Sequence, residues 1–252
     1  MRIHAHAVRA SNHAPTSRSV RARAIALTAA LLAASSASST LADLLFDQIG
    51  SAANLPPTGP EGFFRYGSQA FVGEPQFDVA ALDDFSLAEA ASIHSVSTVI
   101  AGYGAFVGYG GIQGFTVRIF ASPGDAASGF GTAIASATVG PSAGYEVFGT
   151  GVLVQLALPG PIELSAGHYW MSVQAINSAP SNGQIGVVIS DLGDGLAYQA
   201  NPGGGFGIPG NLLARPVNLA YRIEGTVVPT PAAAVLLLAA ARARHGRRRE
   251  GR

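Results

Sequence analysis

Residue types able to do chemistry are sparse in the interior of this 252-residue chain. Only His94 and His168 lie between residues 43 and 227, and neither sits in a His-x-x-x-His spacing that would grip a metal. Both read as solvent-facing strand residues. Gly140-Pro141-Ser142-Ala143-Gly144 matches the Gly-x-Ser-x-Gly pattern of a nucleophile elbow, which needs a strand before the serine and a helix after it. A strand-like run follows instead, so a plain turn is the preferred reading. A triad of Ser142 with His94 or His168 and a dispersed Asp stays open beside it. Glycoside hydrolysis needs two carboxylates across a cleft, and Glu146 with Glu163 are the candidates from neighbouring strands. Exposed solubilising charge accounts for them more simply. Asp191-Leu192-Gly193-Asp194-Gly195 could offer calcium two carboxylates and a carbonyl, joined by Asp83-Asp84 if the fold brings them near. These ligands suffice for a weak site at most, and an Asp/Gly turn is preferred. The stretch from Asn201 to Gly210 has the glycines of a phosphate loop without its Lys or following helix. The chain is therefore not expected to be an enzyme, and calcium at Asp191 and Asp194 is the single metal candidate.

Charge narrows the partners. All fifteen basic residues are Arg, and they are very unevenly placed. Residues 1–42 carry five Arg and no acid, and residues 229–252 carry six Arg against Glu250. Between them, Arg65, Arg118, Arg215 and Arg222 face fourteen Asp and Glu, a net charge of −10. An acidic surface repels phosphate backbones, which argues against nucleic acid as a partner. Charged residues are 12% of the chain against roughly 25% in average soluble proteins, so the surface is polar but mostly neutral. Cysteine is absent, which excludes disulfides and thiolate metal sites and leaves stability to an apolar core.

The elements that must position these residues are strands. Phe115, Val117 and Ile119 alternate with Thr116 and Arg118, the pattern of a half-buried strand. Val152, Val154, Leu156 and Leu158 form an apolar face, and Pro159-Gly160-Pro161 reads as the turn that ends it. In the run from His168 to Ile176, Tyr169, Met171, Val173 and Ala175 face one way, leaving Trp170 on the polar face beside Ser172 and Gln174. An exposed Trp170 would be a platform for stacking on sugar rings. Weaker strands are expected near 44–49, 62–72, 82–87, 93–101, 130–139, 144–149, 185–190 and 212–226, with a helical turn near Leu87 to Ala91. About 185 residues with ten or so short strands predict one all-β domain over 43–227, an antiparallel sandwich of jelly-roll type.

Both ends read as addresses. A basic stretch ending at Arg23 precedes eleven apolar or small residues from Ala24 to Ala34, too few to span a bilayer. Thr40-Leu41-Ala42 then offers a signal peptidase its small-x-small site, so residues 1–42 are expected to be a signal peptide. At the other end, Val228-Pro229-Thr230-Pro231 precedes an apolar run from Ala232 to Ala241 and a cluster containing Arg247, Arg248 and Arg249. Over residues 228–252 this order resembles the PEP-CTERM sorting domain of exopolysaccharide-producing bacteria. Thr230 stands where the family has Glu, and the ten-residue run makes about 15 Å of helix against a hydrocarbon core of roughly 30 Å. The resemblance implies a membrane enzyme of the exosortase type as partner, transient inner-membrane engagement, and a final place at the cell surface or outside. It further implies a non-enzymatic surface or extracellular-matrix protein associated with exopolysaccharide. A carbohydrate-binding module and a secreted glycoside hydrolase are the alternatives.

Overall fold

The computed structural model describes residues 42–142 and 144–228; the expected signal peptide apart from Ala42, and the expected sorting tail beyond Val228, lie outside the described residues. Fifteen strands there form two sheets. The first holds β1 (Asp43–Asp47), β2 (Arg65–Gly67), β5 (Ala91–Tyr103), β8 (Glu146–Phe148), β9 (Gly151–Leu164), β11 (Gln184–Ser190), β14 (Asn218–Leu219) and β15 (Tyr221–Val227). The second holds β3 (Gln69–Phe71), β4 (Ala80–Leu87), β6 (Gly114–Phe120), β7 (Ala135–Val139), β10 (Gly167–Asn177), β12 (Ala197–Ala200) and β13 (Leu212–Arg215). All pairings are antiparallel except that of β3 with β10, which is parallel and was not anticipated. From β4 through β5, β6, β9, β10, β11 and β12 to β15 the chain alternates between the sheets.

One core joins them. Ile93, Val96 and Ile223 of the first sheet pack in a single cluster with Phe85, Phe115, Val117, Met171 and Val173 of the second. Alternation along each strand supplies this face, because successive side chains point to opposite sides of a pleated sheet. Residues of the long pairs stay in register over most of their length, as from Ser95 opposite Ala157 to Ile100 opposite Val152.

The second sheet is split at its centre. The register that sets Asp83 opposite Met171 makes Ala81 the partner of Val173. Those two residues do not bond each other. Instead the Ala81 N–H donates to Ser68 Oγ (3.2 Å), whose hydroxyl donates to the Val173 carbonyl (2.7 Å). The Val173 N–H donates to Tyr221 Oη (3.3 Å), and that hydroxyl donates to the Ala81 carbonyl (2.8 Å). Two side-chain hydroxyls thus complete a reciprocal ladder pair across a gap too wide for direct bonding. Beyond the fork, β3 fills the space, running beside β10 and bridging to Val79 through Gln69.

Several sequence expectations are corrected. Pro159-Gly160-Pro161 does not end its strand: β9 continues to Leu164, and Leu158 to Pro161 bulge outward opposite His94 alone. Proline fits there because a bulged residue owes the ladder no N–H. The strand expected from 130 begins at Ala135, after a 3-10 turn over Phe130–Thr132. No helix forms near Leu87 to Ala91; short helices form at Pro123–Ser128 (α1) and Ala179–Asn182 (α2). In α1, Ser122 Oγ accepts from the Asp125 N–H and Pro123 sits where no donor is needed, a cap legible in Ser-Pro-Gly-Asp but too short to show periodicity. β6 is covered on both faces, with Thr116 buried as well as Val117.

Replacing Tyr221 by Phe keeps the ring in the core but strands the Ala81 carbonyl and the Val173 N–H. A buried polar group without a partner costs about 1 to 3 kcal/mol, so urea unfolding of Tyr221→Phe, which strands two, should show a loss of roughly 2 to 6 kcal/mol.

Candidate functional site

Ser142, His94 and His168 are not brought together. Ser142 Oγ donates to the Gly144 carbonyl (2.6 Å) within its own turn. His94 Nε2 lies 3.3 Å from Thr226 Oγ1 on β15. His168 is bracketed across β4 and β10, with Nδ1 3.1 Å from Ser86 Oγ and Nε2 3.4 Å from Asp84 Oδ2. Hydroxyl, imidazole and carboxylate therefore stand in the order of a triad, but on one open sheet face with the imidazole 52% exposed. On that face the three groups form a cross-strand polar ladder. Glu146 and Glu163 also stay apart: Glu146 pairs with Leu153, ten residues along β9 from Glu163. At about 3.3 Å per residue that exceeds any glycosidase carboxylate separation.

Trp170 requires a correction. It lies on the outer face of β10 as alternation demands, yet it is only 7% exposed. α1 and its neighbours cover that face, and Trp170 packs with Ala80, Leu82, Phe120, Ala126 and Ala200 and edge-on to Tyr198 at 5.2 Å. It cannot stack on a sugar ring.

The Asp191 to Gly195 loop has a structural task. Asp194 Oδ1 accepts from the Leu196 N–H (3.0 Å), and Asn218 Oδ1 accepts from the Gly195 N–H (2.8 Å). Gly193, at φ +127°, leaves no room for a Cβ, which would meet the Asn218 and Gln48 side chains at 2.5 Å. Asp191 points its backbone N–H at the Asn54 carbonyl (2.9 Å). Asp194 does come near Asp83 and Asp84, and its charge helps raise both carboxyls. Among the described residues, no three His, Asp or Glu side chains are gathered to hold a metal. Asp83 is 1% exposed; it accepts from the backbone N–H groups of Asp84 and Leu219 and, with the amide of Gln48 turned to donate, from Gln48 at 2.9 Å. Burial pushes it up to about 8 against the lowering effect of the two backbone N–H groups.

Ser142 and Glu146 do share the lining of an open cavity of about 500 Å³ with Tyr145 and Gln155. A smaller site, richer in convergent aromatic and cationic groups, lies where edge strand β2 of the first sheet meets β12 and the edge strand β13 of the second. Phe63, Arg65, Tyr66, Gly67, Tyr103, Gln199 and Arg215 line a cavity of about 240 Å³. One wall is a fixed polar network. Tyr66 Oη donates to Glu61 Oε2 (2.6 Å), Arg215 Nη1 donates to the same oxygen (2.9 Å), and Arg215 Nη2 donates to Gln199 Oε1 (2.9 Å). Gln199 Nε2 donates to the Gly67 carbonyl (3.3 Å), tying the two sheets together. Opposite, the Arg65 guanidinium lies 4.2 Å from the centre of the Phe64 ring and 5.0 Å from that of Tyr103. A Cβ at Gly67 would stand 2.6 Å from the Tyr103 hydroxyl, so glycine makes room for that group. Burial pushes Tyr103 up to about 12 and raises Tyr66 further, so both phenols stay neutral at physiological pH. Phe63 is 62% exposed at the mouth.

Such a cleft offers aromatic faces, a cationic fork and amide groups within reach of a small polar ring. The signal for it was present in Phe63-Phe64-Arg65-Tyr66, which gathers three aromatic residues around one of only four arginines in an acidic body. No protein-family model matches the chain, and no curated protein matches it either.

Two outcomes follow. The chain has one tryptophan, and its fluorescence should be that of a buried indole, unchanged by added glycan; emission at the wavelength of free indole would place Trp170 in solvent. For Asp83, a folded value near 8 above an unfolded value near 3.9 means that the folded state holds the proton more tightly. Its stabilising effect is complete below about pH 4 and is lost as pH rises through 8, by up to roughly 1.4 kcal/mol per pH unit. Thermal unfolding should show falling stability from pH 5 to pH 8.5, and Asp83→Asn should flatten that slope.

Proposed function

We propose that the chain is an exported, non-enzymatic surface or extracellular-matrix protein whose body, a β-sandwich of jelly-roll type, holds polysaccharide. The carrying observation is the cleft between β2 and β13, where aromatic rings, two guanidinium groups and an amide converge on a cavity of about 240 Å³. That volume lies just below those typical of drug-sized ligands, which suits a single sugar unit of a longer chain. Phe63 at its mouth supplies the exposed aromatic face that Trp170 does not. Alternation of the longer strands between the sheets, from β4 to β5 and β6 and from β9 through β10 and β11 to β12, supports the jelly-roll reading.

The basic, apolar and small-residue order of residues 1–42 supports export through a signal peptidase. The order of elements over 228–252 supports sorting by an exosortase-type enzyme. Calcium has no part in this reading, since the Asp191 to Gly195 loop is explained by its bonds to Asn218 and Leu196. Between a purely structural matrix protein and one that binds glycan itself, the cleft favours the second.

Expressed whole in an exopolysaccharide-producing bacterium, the protein should be slowed in gels containing that polysaccharide, and Phe63→Ala should remove at least half of the retardation. Replacing Arg247, Arg248 and Arg249 by Ala should leave binding intact and alter processing or location. A wild-type protein that runs freely would overturn sugar binding, and unchanged processing and location would overturn sorting.

A further inference from the structure

Charge bookkeeping inside the body singles out one arginine. Arg222 donates to Asp47 (3.0 Å) and Arg215 to Glu61 (2.9 Å), each in an ion pair. Arg118 has no ion pair among the described residues, but it donates to Gln174 and feels the charge of Asp78, whereas Arg65 makes no side-chain hydrogen bond there. Among the described residues no carboxylate lies within ion-pair distance of Arg65. This is notable where fourteen acids surround four arginines. Arg65 is half-buried, and the rings of Phe64 and Tyr103 flank its guanidinium. The ring faces stabilise the cation but leave its hydrogen-bonding fork without an anionic partner, free to take one.

We infer that the cleft between β2 and β13 is a receptor for a carboxylated sugar unit, a uronic acid within a polysaccharide, with Arg65 as the ligand of its carboxylate. The inference rests on the polysaccharide reading above and adds the class of sugar. A guanidinium presents a planar fork that matches a carboxylate through two parallel hydrogen bonds. The ring flanking holds that fork in one plane, which lowers the ordering cost of forming both bonds. Tyr103, neutral at physiological pH, and Gln199 stand beside it as partners for sugar hydroxyls, and Phe63 offers the ring face at the mouth. The net charge of −10 works against the most densely charged anions. A chain with one carboxylate per sugar meets less long-range repulsion than a polyphosphate or a heavily sulfated chain, which carry more charge per unit length. Arg215 adds no second free charge, because Glu61 already neutralises it.

The test uses the full exported protein and calorimetry with three probes: oligogalacturonate, the same oligosaccharide with its carboxyls reduced to alcohols, and dextran sulfate. Oligogalacturonate should bind at least tenfold tighter than the reduced form, and Arg65→Gln should erase that preference while leaving the thermal midpoint within a few degrees. Arg65→Lys should recover part of the affinity, since it restores the charge but not the fork. The comparison of natural with reduced ligand needs no variant, so a misfolded Arg65→Gln cannot shield the inference. Equal affinity for the two forms, lost on Phe63→Ala, would overturn the carboxylate assignment while leaving polysaccharide binding in place. Binding of neither would overturn the uronate assignment, and retardation in gels of the producer's own polysaccharide would then decide the polysaccharide reading separately. Preference for dextran sulfate would overturn the assignment in favour of a sulfated ligand.

Discussion

Two hydroxyl groups hold this fold open at its centre. Ala81 and Val173 are register partners on adjacent strands, yet Ser68 Oγ and Tyr221 Oη stand between them and relay both of their hydrogen bonds. These hydroxyls bridge β4 and β10 at the point where the two strands part and β3 enters beside β10. Ser68 has a second duty, because the chain crosses from the first sheet to the second at this residue. Its N–H donates to the Ile185 carbonyl of β11, and its carbonyl accepts from the Ala175 N–H of β10, both at 3.1 Å. Tyr221 reaches the same point from β15, so three strands of different sheets depend on one buried polar junction.

That junction places the cleft. β2 ends at Gly67 and β3 begins at Gln69, so the position of Ser68 fixes where Arg65 and Tyr66 emerge. β2 lies beside β11 with Tyr66 opposite Val187, and the Gln199 amide then reaches the Gly67 carbonyl from the other sheet. A short edge strand would otherwise be free to shift. Here it is held by backbone pairing on one side and a side-chain bridge on the other, which gives a binding surface the rigidity that orientation of a ligand needs.

Polar burial recurs two residues further along β4. Asp83 accepts from the Leu219 and Asp84 backbone N–H groups, and Gln48 and Asn218 sit against the Asp191 to Gly195 loop that covers them. A carboxyl in this position satisfies N–H groups that no neighbouring strand reaches, at the cost of a raised affinity for protons. Loop, amide and carboxyl form one structural plug, and that explains aspartates whose spacing alone resembled a cation loop.

Periodicity was enough to determine the all-β class, because a two-residue repeat is a property of the strand itself and survives without knowledge of its neighbours. The inward set of β10, from Tyr169 through Met171 and Val173 to Ala175, and that of β9, from Val152 to Leu156, followed from the same rule. Composition alone established the acidic body between two arginine-rich ends. What covers the outward set depends on chain segments far away. Trp170 was correctly assigned to the outer face, but only the placement of α1 decided that this face is dry there. The bulge at Pro159 to Pro161 looked like a turn because proline interrupts either one, and the pairing of Ile162 with Ile93 is what carries the strand past it. The cleft likewise joins residues 63–67, 103, 199 and 215, separations over which no local pattern extends, so its aromatic and basic character was visible only as the isolated run Phe63-Phe64-Arg65-Tyr66.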